Sequence, residues 1–133
     1  MASKILTAAD ILSADDIERE LVEIPEWGGS VWVYGMTASE RDRQELETAR
    51  ILQNANDPSA KKAQRANIRA MVAAIVCRDE NGARIFGSEH IQQLGKRSAK
   101  PLDRIYDVAR RLSGITDSTD EEEEKENLSN GQR

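Results

Sequence analysis

The sequence has few of the residues on which metal-binding, disulfide-bonded and secreted proteins depend. Its 133 residues include one cysteine and one histidine, so an intrachain disulfide and a zinc site of the usual His/Cys composition are both excluded. No apolar run is long enough for a signal peptide or a transmembrane helix. These absences predict a soluble, cytoplasmic protein without a metal, a cofactor or a membrane contact.

The residues that could serve catalysis favour structural roles instead. Cys77 ends an apolar helical stripe and is expected in the core, and His90, next to Glu89, is expected on the surface of a short helix. The pair Gly28-Gly29 lacks the further glycines and the Lys-Ser/Thr of a phosphate-binding loop, and a strand follows it. The chain is therefore predicted not to be an enzyme.

Large apolar side chains are scarce, because Leu, Ile, Val and Phe together account for only 27 of the 133 residues. This content is at the lower edge for globular proteins. It predicts a thin core, and a partner that covers surface which the chain cannot bury alone.

Charge is present in quantity but is segregated along the chain. Residues 1–57 carry net −7, residues 58–111 net +7 and residues 112–133 net −5. Such a pattern favours docking of unlike patches. Nucleic acid is an unlikely main partner because the basic block lies between two acidic ones.

The periodicity predicts a mainly α fold with a small N-terminal β-hairpin (α+β), in one folded domain over residues 1–115. A disordered acidic tail is expected over residues 116–133, which contain four consecutive Glu and a single large apolar residue. Within the domain we expect a short helix at about 7–14, a hairpin at about 19–34, and helices at about 38–54, 59–77, 88–94 and 98–113.

Helix caps support these boundaries. Thr37-Ala38-Ser39-Glu40 matches the capping box, and Thr7 and Ser88 are candidate N-caps. Gly114 followed by Ile115 fits a glycine C-cap. The helix at 38–54 has a narrow apolar stripe that includes Leu46, whereas the second half of 59–77 and the helix at 98–113 have the best core-facing stripes.

Two groups of residues are candidates for binding a partner. Trp27, Trp32 and Tyr34 cluster on the predicted hairpin, and aromatic side chains of this kind either anchor interfaces or pack the hairpin onto the helices. A basic stripe on the helix at 59–77 is either a solvated face or a grip for an acidic partner; it consists of Lys62, Arg65 and Arg69.

One stretch of the chain carries a family resemblance. The run Val-Glu-Ile-Pro-Glu-Trp-Gly-Gly-Ser-Val-Trp-Val-Tyr-Gly-Met-Thr-Ala-Ser-Glu-Arg-Asp at 22–42 resembles the opening of tail assembly chaperones from long-tailed bacteriophages and prophages of the siphovirus type. The layout of the turn at Asp79 to Phe86 and of the helices up to Gly114 is similar to the rest of that family, so the resemblance covers roughly residues 5–115.

The resemblance implies a chaperone that is absent from the mature virion. Such a protein binds the tape measure protein, keeps it soluble and helps to recruit tail tube subunits in the bacterial host cytoplasm, and self-association is expected. In this family a ribosomal frameshift often yields a longer product that recruits the major tail tube protein, and the acidic stretch at 120–127 lies where such a slip would occur.

Two alternatives remain open from the sequence. A structural head-tail connector or tail subunit would also be a small phage protein with a hairpin and helices. A nucleic-acid-binding regulator that uses the basic block at 58–111 is the less favoured alternative.

Overall fold

A computed structural model describes residues 3–115, apart from the side chains of 61–63. Five helices and three strands follow one another in the order α1 (Ala8–Leu12), β1 (Arg19–Ile24), β2 (Gly29–Tyr34), α2 (Ala38–Gln53), α3 (Pro58–Val76), β3 (Cys77–Arg78), α4 (Ile91–Gly95) and α5 (Ala99–Ser113). The predicted mainly α fold with a small N-terminal sheet is confirmed. The predicted acidic tail lies outside the described residues.

The sheet is antiparallel in the order β1-β2-β3. The hairpin pairs Val22 with Val31 and Leu21 with Trp32, and a 3-10 turn at Pro25–Trp27 closes it with Gly28 at φ 80°. The third strand was missed by the sequence reasoning because it has only two residues, which continue directly from the apolar stripe of α3. Its Cys77 pairs with Val33 in β2.

The core lies between the inner face of the sheet and the two helices α3 and α5. Because successive side chains of a strand point to opposite faces, Val22, Ile24 and Val33 all face inward and are buried. Their partners in the core cluster come from helical stripes at three- and four-residue spacing, namely Ala70, Val72, Ala73 and Val76 of α3 and Leu102, Ile105 and Ala109 of α5. The core stripes predicted for these two helices are confirmed.

Helix α2 lies at the edge of this core and contributes little to it. Its one buried residue is Gln44, whose amide donates to the Thr48 hydroxyl at 2.6 Å. Leu46 is 73% exposed, so the expectation that it belongs to a buried stripe is wrong. The stripe was too narrow to pack, and its two half-buried apolar residues are Ile51 and Leu52.

Most of the predicted caps are present. The capping boxes at Thr37–Glu40 and Thr7–Asp10 both form, and Gly114 ends α5 at φ 67°. The predicted Ser88 cap is wrong, because Ser88 is already the first residue of a 3-10 turn. There the His90 Nδ1 atom accepts a hydrogen bond from the Gly87 N–H at 2.9 Å, so the His90 side chain caps the start of this turn.

The end of α5 packs against the residues that follow β2, where its backbone comes very close to the backbone of Gly35. A Cβ atom at this position would lie 2.8 Å from the Leu112 carbonyl oxygen. The Gly35 N–H donates to the Glu18 carbonyl at 2.8 Å, and the Met36 N–H donates to the Ser113 hydroxyl at 2.9 Å. The first and last parts of the domain therefore meet where no side chain fits.

We predict that Gly35→Ala destabilises the fold, because the new methyl group must displace backbone rather than a mobile side chain. The free energy of unfolding, measured by urea denaturation, should fall by about 1–3 kcal/mol. Gly29→Ala is the matched control, since nothing lies within 4 Å of its added Cβ. Equal stability of the two variants would contradict the close approach.

Ion pairs join the hairpin to α5 outside the core. Arg104 donates to both carboxylate oxygens of Glu26 at 3.0 Å, and Arg111 donates to Glu20 at 2.8 Å. The Arg104 hydrogen bonds are the main cause that lowers the pKa of Glu26 to about 2. The acidic first part of the chain thus already neutralises some of the basic block.

The Glu26–Arg104 pair predicts a specific dependence of stability on pH. A carboxylate whose pKa is lowered on folding contributes stability above its ordinary pKa of about 4.5, and this is lost as the pH falls towards 2. Arg104→Gln should therefore lower the melting temperature at pH 6 and make no difference near pH 2. Melting curves of both proteins across this range check it, and a constant difference at every pH would contradict it.

Candidate interaction surface

The outer face of the sheet presents aromatic, aliphatic and cationic side chains on the side opposite the core. Strand register places Leu21, Trp32 and Arg78 in one row across the three strands, and a further bridge adds Arg84 beside Arg78. Leu21 is 54% exposed, and Trp32 is half-buried. Paired residues of antiparallel strands share a face, so these four side chains form a continuous surface.

Two arginines lie against the aromatic rings of this face. The Arg19 guanidinium lies 5.4 Å from the Trp32 ring centroid and 5.9 Å from that of Tyr34, and it donates to the Tyr34 hydroxyl at 3.2 Å. The Arg78 guanidinium lies 5.4 Å from the Tyr34 ring on the neighbouring strand. Cation–π contacts of this length hold the rings in place and leave part of their surface open to a partner.

Glu40 supports this arrangement from the start of α2. Its carboxylate accepts from the Thr37 N–H at 3.0 Å, pairs with Arg84 and lies 3.8 Å from Arg78. Partial burial would raise the pKa of Glu40, but the Thr37 backbone and the two arginines outweigh it and lower the pKa. The capping box of α2 therefore also fixes the cationic edge of the outer face.

The three predicted aromatic residues do not form one cluster. Trp32 and Tyr34 lie on the outer face, whereas Trp27 lies in the 3-10 turn and packs, half-buried, against the core. The core-packing role that the sequence left open occurs at Trp27, whereas Trp32 and Tyr34 stay candidates for contact with a partner.

The three predicted basic residues of α3 also differ from one another. Arg69 pairs with Asp103 of α5 at 2.9 Å, so it joins two helices. Arg65 is exposed, and the side chain of Lys62 lies outside the described part of the chain. Of the three, Arg69 is engaged within the fold, and Arg65 stays a candidate for contact with an acidic partner.

An N-terminal arm, residues 3–17, exposes most of its large apolar side chains. Ile5 is 88% exposed and Leu12 86%, and Leu6 and Ile11 are also exposed. Hydrogen bonds between Thr7 and Asp10 fold α1, yet α1 buries no residue. Isolated exposed apolar residues are ordinary, but four of them on one short arm indicate a contact surface.

The described residues show no reactive centre. Burial raises the pKa of the Cys77 thiol to about 12, so the nucleophilic thiolate does not form at neutral pH. Within residues 3–115, apart from the side chains of 61–63, no group of three His, Cys, Asp or Glu could hold a metal ion. In the same part of the chain, no helix is long and apolar enough to cross a membrane.

Sequence reasoning missed three features of these surfaces. The role of Leu21 could have been found from strand alternation, because Leu21 has the opposite parity to the buried residues Val22 and Ile24. The positions of Arg19 and Arg78 over the rings depend on strand register, which the sequence did not specify. The exposure of the arm depends on whether another described element packs against it, and a local sequence pattern does not show this.

The fold is similar to a solved structure, the tail assembly chaperone of bacteriophage HK97. The two share 16% sequence identity, with a TM-score of 0.60 over 78% of this chain and 94% of the HK97 protein. The chain thus has the fold of a phage tail assembly chaperone, as the resemblance at 22–42 implied. No family model matches the sequence, and no curated protein matches it significantly.

Proposed function

We propose that the protein is a phage tail assembly chaperone that binds a tape measure protein, keeps it soluble and is absent from the mature virion. The observation that carries this proposal is the shared fold over 94% of the HK97 tail assembly chaperone. The proposal includes a non-enzymatic role in the host cytoplasm and recruitment of tail tube subunits through a longer, frameshifted product.

The outer face of the sheet is the surface that we propose for the client. A tape measure protein is long and helical, and it exposes apolar stripes until tail tube subunits enclose it. Leu21 and Trp32 offer apolar contact to such a stripe, while Arg19 and Arg78 hold the aromatic rings in a fixed orientation. Rigid aromatic side chains lose little conformational entropy on binding, which suits them to this role.

The general role is tested by co-expression with the long helical protein encoded by a neighbouring gene. The chaperone should move that protein from the insoluble to the soluble fraction, and mass spectrometry of purified phage particles should not find the chaperone. Its presence in particles at a ring-like copy number would favour the connector or tail subunit alternative. Neighbouring genes of metabolism alone would contradict the proposal.

The client surface is tested by the double variant Leu21→Ser with Trp32→Ala. We expect the affinity for the client to fall about tenfold or more, because central aromatic anchors carry most of the energy of an interface. Leu46→Ser is the matched control, since Leu46 is 73% exposed but lies on α2. Co-purification of tagged client measures the effect, and circular dichroism confirms that both variants are folded.

Trp27→Ala separates folding from binding in the same assay. Because Trp27 packs against the core, this change should lower the melting temperature rather than remove a client contact. Full client binding by the Leu21/Trp32 variant would reject the outer face as the contact site.

We further propose that the N-terminal arm mediates self-association, since many copies must cover a long client. The arm exposes four large apolar residues and carries acidic residues at Asp10, Asp15 and Asp16, which complement the basic middle block of a second copy.

Ile11→Ser with Leu12→Ser should therefore weaken self-association by about tenfold or more. Sedimentation velocity over a range of concentrations measures this, with Leu46→Ser as the control again. An unchanged concentration dependence in the arm variant would show that the copies meet elsewhere.

A further inference from the structure

A groove with a cationic rim is formed by residues within 86–97, just before the start of α5. Its volume is about 390 Å³ and it is lined by Phe86, His90, Gln93, Leu94, Lys96 and Arg97. Leu94 is buried, while Lys96 and Arg97 are exposed at the rim. The groove therefore combines an apolar floor with two positive charges.

These two cations differ from most of the basic block because they have no ion-pair partner among the described residues. Elsewhere in the block, Arg69, Arg104 and Arg111 are each paired with a carboxylate. The partners of Arg104 and Arg111 are Glu26 and Glu20 of the acidic N-terminal third. An acid beside the groove is the exposed Glu89, which lies 3.8 Å from His90 Nδ1 of the lining.

We propose that the groove binds the acidic segment of the same chain at 120–128. This segment contains six acidic side chains and one basic side chain, and it ends in Leu128, the one large apolar residue beyond Ile115. Its acids complement Lys96 and Arg97, and the leucine suits the floor formed by Phe86 and Leu94. In this contact the negative charge of the segment faces the positive charge of the groove rim.

The length of the connection allows this contact. Ile115 packs against the core and donates to the Arg110 carbonyl at 3.0 Å, so the segment leaves from the far end of α5. The 15 residues of α5 span about 22 Å. Glu121 and Glu126 lie six and eleven residues beyond Ile115, which corresponds to about 20 and 36 Å of extended chain. An extended chain from Ile115 therefore spans the length of α5 from about residue 122 onward, so Glu122 to Glu126 can reach the rim, whereas Glu121 falls short of it.

Paramagnetic relaxation in the full chain tests the contact. A spin label is attached to Asn127→Cys, and Cys77 stays unlabelled because it is fully buried with a raised thiol pKa. Backbone amide signals of Leu94, Lys96 and Arg97 should lose at least about half of their intensity at an ionic strength of about 0.05 M. They should recover at about 0.5 M, where exposed charges are screened.

Charge variants make the test specific. Lys96→Gln with Arg97→Gln should remove the broadening at Leu94, whereas the control Arg43→Gln with Arg50→Gln, which removes the same charge from α2, should keep it. Absence of broadening, or broadening spread evenly over all basic residues, would overturn the proposal.

A second sample distinguishes one chain from two. Isotope-labelled chains without a spin label are mixed with spin-labelled chains at natural isotope abundance, so that only intermolecular contacts broaden the signals. No broadening at the groove in this mixture supports docking within the chain. Broadening equal to that of the single sample would assign the groove to the segment of a second copy and overturn the proposal.

Discussion

The structure depends on the contact between the inner face of a very small sheet and two helices. An isolated hairpin is marginal in water, and the two-residue β3 adds little to it. Val33, Cys77 and Ile105 are nevertheless inaccessible to solvent, because α3 and α5 pack against one side of the sheet. With few large apolar residues available, the chain concentrates them in this one layer, and α1 and α2 contribute almost nothing to it.

The same constraint explains why so much potential binding surface remains. A sheet that is covered on one face has a second face, and here that face carries Leu21, Trp32 and Tyr34 with two arginines over the rings. The arm adds further apolar surface because, within residues 3–115, its large apolar side chains stay mostly exposed. Exposed apolar and aromatic side chains that lie together in this way are typical of surfaces that contact another molecule.

Local sequence patterns predicted most helices and strands. Features that depend on contacts between distant parts of the chain were not predicted. The capping boxes at Thr37 and Thr7 and the apolar stripes of α3 and α5 involve neighbouring residues, so the sequence specifies them directly. The third strand, the approach of Leu112 to Gly35 and the separation of Trp27 from Trp32 depend on how distant elements meet. For Leu46, the periodicity gave the correct helix but could not tell whether anything would cover its weak apolar side.

The seating of α5 on the exit of β2 also sets the order in which the body can form during synthesis. The contacts of Gly35 with Leu112 and of Met36 with Ser113 join residues that are 77 positions apart. The inner face of the hairpin is therefore covered only after the last helix, α5, has been made. The described contacts that close the body end at Ile115, so the inner face is covered only after α5 has left the ribosome. Two products that share residues 3–115 would carry the same surfaces on the same scaffold.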